Sequence, residues 1–314
     1  MEVWGGNHRV DQGVVMPGLD VWVFSEPYHG DDLGGDVHYV SSCGTGRICR
    51  LIVADVSGHG TRVSEVARGL RTLMRRFVNY LDQSRFVEAL NQGFLASDED
   101  GLFATSVAMT FFSPSRQLDV CNAGHPRPLI RRARSGRWEF MSGPSEERSR
   151  TDLTNLPLGV LEPTAYEDYG VTLERDDLVL VYTDAVTEAR APDGTLLGEE
   201  GLLRLMKEIV ATEPARLIPT VVAKLSVWRG GEQPDDDMTL LLLRHNGVAS
   251  QAPYFERLWA PVRFFGIIGR AMMPFGERPP IPWPERSVPN IVGAFSTRVS
   301  RSWRGWRRRD ATQR

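Results

Sequence analysis

Between residues 20 and 245 the chain follows one order of pattern: strands, two helices, strands, two helices, and a last strand. Short runs rich in Val, Ile and aromatics fall at Val21 to Phe24, Val37 to Val40 and Arg50 to Ala54, each bounded by Gly, Asp or Ser. Ser41 to Gly46 reads as a hairpin turn. A helix is expected from near Thr61, where Val63, Ala67, Leu70, Met74 and Phe77 share one face and the arginines mostly fall off it. A second covers Arg85 to Leu95. Strands return at Ser106 to Phe112, Gln117 to Cys121, Leu129 to Arg132, Trp138 to Met141 and Leu178 to Tyr182. Helices follow at Glu199 to Ala211 and Pro214 to Trp228, where Pro214 suits a first helical position. The last strand, Thr239 to Leu243, is apolar at every position after Thr239, as a strand buried on both faces would be. Strand blocks at hairpin spacing predict antiparallel sheets in an α+β fold, not a βαβ repeat.

The composition suits a large soluble core: 41% hydrophobic and 25% charged over 314 residues. No run of 18 uncharged apolar residues exists, which excludes a conventional spanning helix, and the first ten residues lack the order of a secretion signal. Cys43, Cys49 and Cys121 cannot form a complete disulfide set and make no CxxC pair, so a reduced, cytoplasmic protein is expected. The charge is divided. From Ser250 to Arg314 there are 12 Arg and no Lys against 4 acids, so a net +8 there and −3 overall leave −11 on the body.

Four aspartates stand in special settings. Asp36 follows Gly34-Gly35; Asp55 ends an apolar strand and opens Asp55-Val56-Ser57-Gly58-His59-Gly60. Asp184 ends Leu178 to Thr183, and Asp236 lies within Asp235-Asp236-Asp237 just before the last strand. A single aspartate at a strand end is ordinarily a turn former or a helix cap. Four of them in one cleft would repel each other unless a cation neutralised them, and hard oxygen donors favour Mg²⁺ or Mn²⁺ over zinc.

The ordered set Gly34-Gly35-Asp36, Asp55 to Gly60, Phe103-Ala104-Thr105, Asn122 to Pro126, Leu156 to Gly159, Tyr182 to Glu188 and Asp236 to Thr239 resembles the SpoIIE-like branch of the metal-dependent type-2C serine/threonine phosphatases, which includes the RsbU-type stress phosphatases. It spans about 70% of the chain. The resemblance implies a four-layer sandwich, two antiparallel β-sheets flanked by α-helices. It implies two Mn²⁺ or Mg²⁺ ions held by Asp36, Asp55, the carbonyl of Val56, Asp184 and Asp236, with Asp55 between the ions. Asp236 is taken over Asp235 and Asp237 because the family ligand stands three residues before the Thr of its motif. The implied activity is hydrolysis of a phosphoserine or phosphothreonine protein by metal-activated water, without a protein nucleophile. No cysteine-phosphatase signature is present. His59 and His125 are candidate proton donors to the leaving serine oxygen, but each reads first as a structural histidine bonding a loop backbone, and neither is taken as catalytic. His29-Gly30-Asp31-Asp32 stands where many relatives place a basic residue near the phosphate. The implied substrate is a STAS-domain anti-sigma antagonist. The main rival function is a degenerate phosphatase domain that only binds partners; a third is a hydrolase of small phosphorylated metabolites with the same metals.

Three segments are therefore expected: a short lead over 1–19, the catalytic domain over 20–245 and a basic Pro, Trp and Arg-rich tail over 246–314. Only about 20 residues precede the catalytic pattern, where relatives often carry sensor domains, so regulation is expected from a partner, from the tail, or not at all. In the tail, Phe295, Val299, Trp303 and Trp306 recur at helical spacing among Arg298, Arg301, Arg304 and Arg307 to Arg309. Such a pattern suits an anionic membrane surface at the inner face of the membrane, docking on the acidic body or a partner, or disorder. Nucleic acid is not expected, because no fold motif for it is present.

Overall fold

The computed structural model describes residues 2–248 apart from 44–45, 59, 81, 98–100, 144–153 and 210–212. His59 and the tail from 249 onward, with the membrane reading attached to it, lie outside the described residues.

Twelve strands among the described residues form two antiparallel sheets of six. The first holds β1 (Glu2–His8), β4 (Leu33–Ser42), β5 (Ile48–Val56), β6 (Ala104–Phe112), β7 (Gln117–Ala123) and β10 (Asp168–Thr172), in the order β1-β4-β5-β6-β7-β10. The second holds β2 (Val10–Met16), β3 (Leu19–Glu26), β8 (Leu129–Arg131), β9 (Trp138–Phe140), β11 (Leu178–Tyr182) and β12 (Met238–His245), in the order β2-β3-β12-β11-β8-β9. Helices α1 (Thr61–Phe77) and α2 (Gln83–Ser97) cover the first sheet. Helices α3 (Asp184–Thr187), α4 (Gly198–Glu208) and α5 (Leu217–Trp228) cover the second. The four-layer α+β sandwich is as expected.

Side-chain alternation explains why the central strands read as continuous apolar runs. On β12, Leu241 and Leu243 face the space between the sheets, while Leu240 and Leu242 pack under α4 and α5. On β5, Leu51 and Val53 enter the inter-sheet core and Ile52 and Ala54 pack beneath α1 and α2. A strand with no wet face has no polar position to offer. Burial of this kind, worth about 25 cal/mol per Å² of apolar surface, is what holds the layers together.

Residues 2–19 are not a lead outside the sheets. β1 pairs with β4 and β2 pairs with β3, so one edge strand is added to each sheet. The Asn7 side chain of β1 donates to the Gly34 carbonyl (2.8 Å) and to the Ser64 carbonyl of α1 (3.0 Å). β10 and the one-turn α3 also form where no element was expected. Pro214 opens a short 3₁₀ turn, and the α-helix proper begins at Leu217. α4 ends at Glu208, short of the expected Ala211.

Candidate functional site

The strand directions bring the four acidic segments to one end of the sandwich. β4 begins there and β5 ends there, and Asp36 pairs directly with Asp55 across the two strands. In the second sheet β11 ends and β12 begins at the same end, joined through the Thr183 N–H to the Thr239 carbonyl (3.0 Å). Asp184 opens α3 immediately after Thr183, and Asp235 to Asp237 form the turn into β12. Residues almost two hundred positions apart thus become neighbours because antiparallel pairing fixes which strand ends coincide.

Asp36 lies between the sheets and is buried. Thr183 Oγ1 of the opposite sheet donates to its Oδ2 (2.9 Å), and Thr183 Oγ1 in turn accepts the Thr239 N–H (2.9 Å). Asp36 Oδ1 is buried with no hydrogen-bond partner. Burial and the neighbouring Asp55 carboxylate push the Asp36 carboxyl well above its usual range, only partly offset by the hydroxyls of Thr239 and Thr183. Asp55 is pushed up to about 8, first by burial and then by Asp184, Asp236, Asp237 and Glu188. Asp184 is raised by burial, Glu188 and Asp236. A buried carboxylate oxygen with no donor, among like charges, requires a proton or a cation. The donor set, aspartate oxygens and one peptide carbonyl, suits a hard divalent ion. Among the described residues, no three His, Cys, Asp or Glu side chains are gathered into a group that would hold a metal ion as they stand. The acids share one end of the sandwich.

The three consecutive acids have different surroundings. Asp237 is buried, and its two oxygens accept the backbone N–H groups of Tyr28 (2.6 Å) and Gly35 (2.5 Å). Asp236 is exposed; its Oδ1 accepts the Asp237 N–H (2.8 Å), and its charge acts on both Asp55 and Asp184. Asp235 is exposed and lies near Arg229. Asp237 therefore pins the segment before Asp36, a role the sequence reading missed. The signal was present in Gly34-Gly35. A Cβ on Gly34 would collide with the Asp237 carboxylate, and one on Gly35 would stand 2.8 Å from Val63 Cγ1 and 3.0 Å from the Val56 carbonyl oxygen. The same close approach puts the Val56 carbonyl beside the strand that carries Asp36.

Asp55 is no helix cap. The cap of α1 is Gly60, with φ of 99° and no side-chain bond, and Gly58 also has positive φ (95°). His125 lies in the loop that follows β7. Its N–H donates to Asn122 Oδ1 (2.8 Å), its carbonyl accepts from Asn122 Nδ2 (2.9 Å), and its Nδ1 lies 2.8 Å from Thr105 Oγ1. Burial pushes its ring down to about 3, so it is neutral at physiological pH.

The family model for stage II sporulation protein E (SpoIIE) matches residues 45–246, well over half of the chain. The chain belongs to the SpoIIE family. That match includes Asp55, Asp184 and Asp236 and begins after Asp36. Among curated SpoIIE-like relatives, phosphoserine phosphatase RsbP of Bacillus subtilis (strain 168) is 24% identical over 45% of this chain and 34% of its own length. Phosphoserine phosphatase RsbU of the same organism is 22% identical over 72% of this chain and 63% of its own length. The chain thus spans about a third of one relative and under two thirds of the other. The fold is shared with the RsbU and RsbW domains of Rv1364c from Mycobacterium tuberculosis (21% identity, TM-score 0.60, 84% of this chain and 72% of that one). It is shared with the PP2C phosphatase domain of SpoIIE from Bacillus subtilis (18%, 0.60, 74% and 64%). It is also that of the catalytic domain of the serine/threonine phosphatase PstP, solved with two manganese ions (15%, 0.50, 72% and 97%). This SpoIIE-family chain therefore has the PP2C-type fold.

Proposed function

We propose that the chain is a metal-dependent protein phosphatase acting on phosphoserine or phosphothreonine. The observation that carries this reading is the meeting of Asp36, Asp55, Asp184 and Asp236, from four separate segments, at one end of the sandwich. Asp36, Asp55, Asp184, Asp236 and the Val56 carbonyl would hold two Mn²⁺ or Mg²⁺ ions. The unpartnered Asp36 Oδ1 and the mutual repulsion of the acids fit that charge. The manganese ions of the PstP structure support the same choice. When bound, such ions supply Lewis acidity and lower the pKa of water into the physiological range. The chain's part is to orient the ligands: Thr183 fixes one Asp36 oxygen, and Asp237 fixes the turn that leads into Asp36. His125, whose ring is pushed down to about 3 by burial and whose loop is tied through Asn122, is read as a positioning residue of its loop.

The names of RsbU and RsbP support a phosphoserine protein as substrate. A small STAS-domain anti-sigma antagonist is the class we assign, with regulatory proteins of a sigma-factor pathway as partners. No helix among the described residues is long and apolar enough to cross a membrane. The rival reading is a catalytically silent partner-binding domain. Hydrolysis of p-nitrophenyl phosphate and of a phosphoserine peptide, with and without Mn²⁺, separates the two. Mn²⁺-dependent turnover that disappears in Asp184→Asn supports the phosphatase. No turnover at any Mn²⁺ concentration, in a folded protein, supports the silent domain.

A further inference from the structure

An apolar ridge borders the acidic end. Phe103, Val160 and Leu161 are exposed by 43%, 50% and 41%. They are held together by the backbone: Ala104 exchanges hydrogen bonds with Leu158 (2.8 and 2.7 Å), and a Cβ on Gly159 would stand 2.7 Å from the Leu102 carbonyl oxygen. Asn91, buried on α2, staples the second half of the ridge, accepting from the Gly159 N–H (2.8 Å) and donating to the Leu161 carbonyl (2.9 Å). The first half is tied to the acids. Ser57, two residues after Asp55, donates its N–H to the Phe103 carbonyl (2.9 Å) and accepts the Phe103 N–H (3.2 Å). Three apolar side chains are thus left half exposed on hydrogen-bonded backbone, as at a contact surface.

Further acids stand at this end of the sandwich, Glu188 close enough to act on Asp55 and Asp184. Asp31, Asp32, Glu188 and Asp235 are exposed and lie outside the four ligands named above. A partner for this end must therefore combine apolar side chains with positive charge. Such a segment exists within the chain itself. Residues 295–309 carry Phe295, Val299, Trp303 and Trp306 with six arginines and no acid. The described chain ends on the opposite side: β12 runs away from the site, and Asn246 is anchored there by bonds from its side chain to the Met16 carbonyl (3.0 Å) and Asp20 Oδ1 (2.8 Å). The eight residues of β12 span about 26 Å. The 46 residues from 249 to 294 can reach up to about 150 Å, so length does not prevent a return to the site end.

We propose that residues 295–309 dock in cis on the Phe103–Val160–Leu161 ridge and its flanking acids, covering the site and competing with substrate. The competition part rests on the phosphatase reading; the docking itself does not. The test uses the full chain with p-benzoyl-phenylalanine in place of Trp306. Irradiation at low salt should give intramolecular crosslinks to peptides containing Phe103, Val160 or Leu161. The yield should fall at roughly 0.5 M salt, where charges are screened beyond a few ångströms. Leu161→Asp, on the exposed ridge, should lower the yield, and Val160→Asp serves if that variant does not fold. In parallel, the full chain with Arg304→Glu, Arg307→Glu, Arg308→Glu and Arg309→Glu should show a several-fold lower KM for a phosphoserine peptide with kcat unchanged. Crosslinks to the ridge in a chain that hydrolyses nothing would support the docking and count against the phosphatase reading alone. Crosslinks only between two copies, or only to distant surfaces, would overturn the proposal. Capture of the chain by anionic vesicles with no crosslink to the body would overturn it too.

Discussion

Asp235, Asp236 and Asp237 share one side-chain chemistry, and only their burial and partners separate them. The sequence offers three equal candidates for one position; motif spacing picks Asp236, and the fold gives Asp237 other work. Because each Asp237 oxygen accepts a different backbone N–H, Asp237→Asn can satisfy only one and sets an amide NH₂ against the other. A loss of about 1–3 kcal/mol is expected from urea denaturation, together with a higher Mn²⁺ requirement. Unchanged stability would mean that the turn holds itself. His125 yields a prediction in pH. Its ring is pushed from 6.5 down to about 3, so the unfolded chain takes up a proton that the native one refuses. Stability from this group is present above about 6.5 and is lost as pH falls from there towards 3. In the metal-free protein the raised carboxyls of Asp36, Asp55 and Asp184 act in the opposite direction. The measure is therefore the difference in urea midpoint between wild type and His125→Gln at pH 7, 6 and 5. The gap should narrow as the solution is acidified. A pH-independent gap would contradict the assignment.

At the scale of elements, nine of the twelve strands among the described residues were expected, the edge strand β9 included, and the plainest are those buried on both faces. β4, β5, β6, β11 and β12 have few polar positions to obscure their apolar character. The strands that escaped are at sheet edges. β1 contains Gly5-Gly6 and two register shifts, β2 is mostly wet along its middle, and β10 has no fully buried residue. An edge strand needs one partner and one dry face, so its sequence is weakly constrained. The four-residue α3 is too short for a periodicity to show. Yet β1 bears on the site, because Asn7 bridges the carbonyls of Gly34 and Ser64 and so links the edge strand, the turn before Asp36 and α1. Asn7→Ala should cost about 1–3 kcal/mol in chemical denaturation, since it removes both buried bonds that tie β1 to Gly34 and α1. A loss below about 0.5 kcal/mol would show that β1 is an ornament of the sheet.

For the whole molecule, the acids are legible one by one, but their meeting depends on antiparallel pairing that brings two strand ends from each sheet to one place. The ridge at Phe103, Val160 and Leu161 could not be read in advance, because exposure of an apolar residue is decided by what the fold leaves uncovered. The account as a whole requires the shared acidic end to be a cation site that performs hydrolysis. Loss of an outer-shell partner of a metal site typically costs about 10–100-fold, so loss of the central ligand should cost at least the larger figure. The most direct measurement is the Mn²⁺ dependence of phosphoserine-peptide hydrolysis by wild type and by Asp55→Asn, with folding of both checked by circular dichroism. Saturable Mn²⁺ activation in wild type and a loss of roughly 100-fold or more in a folded Asp55→Asn is the predicted result. Equal turnover by the two proteins, or wild-type turnover indifferent to Mn²⁺ and to chelator, would contradict it.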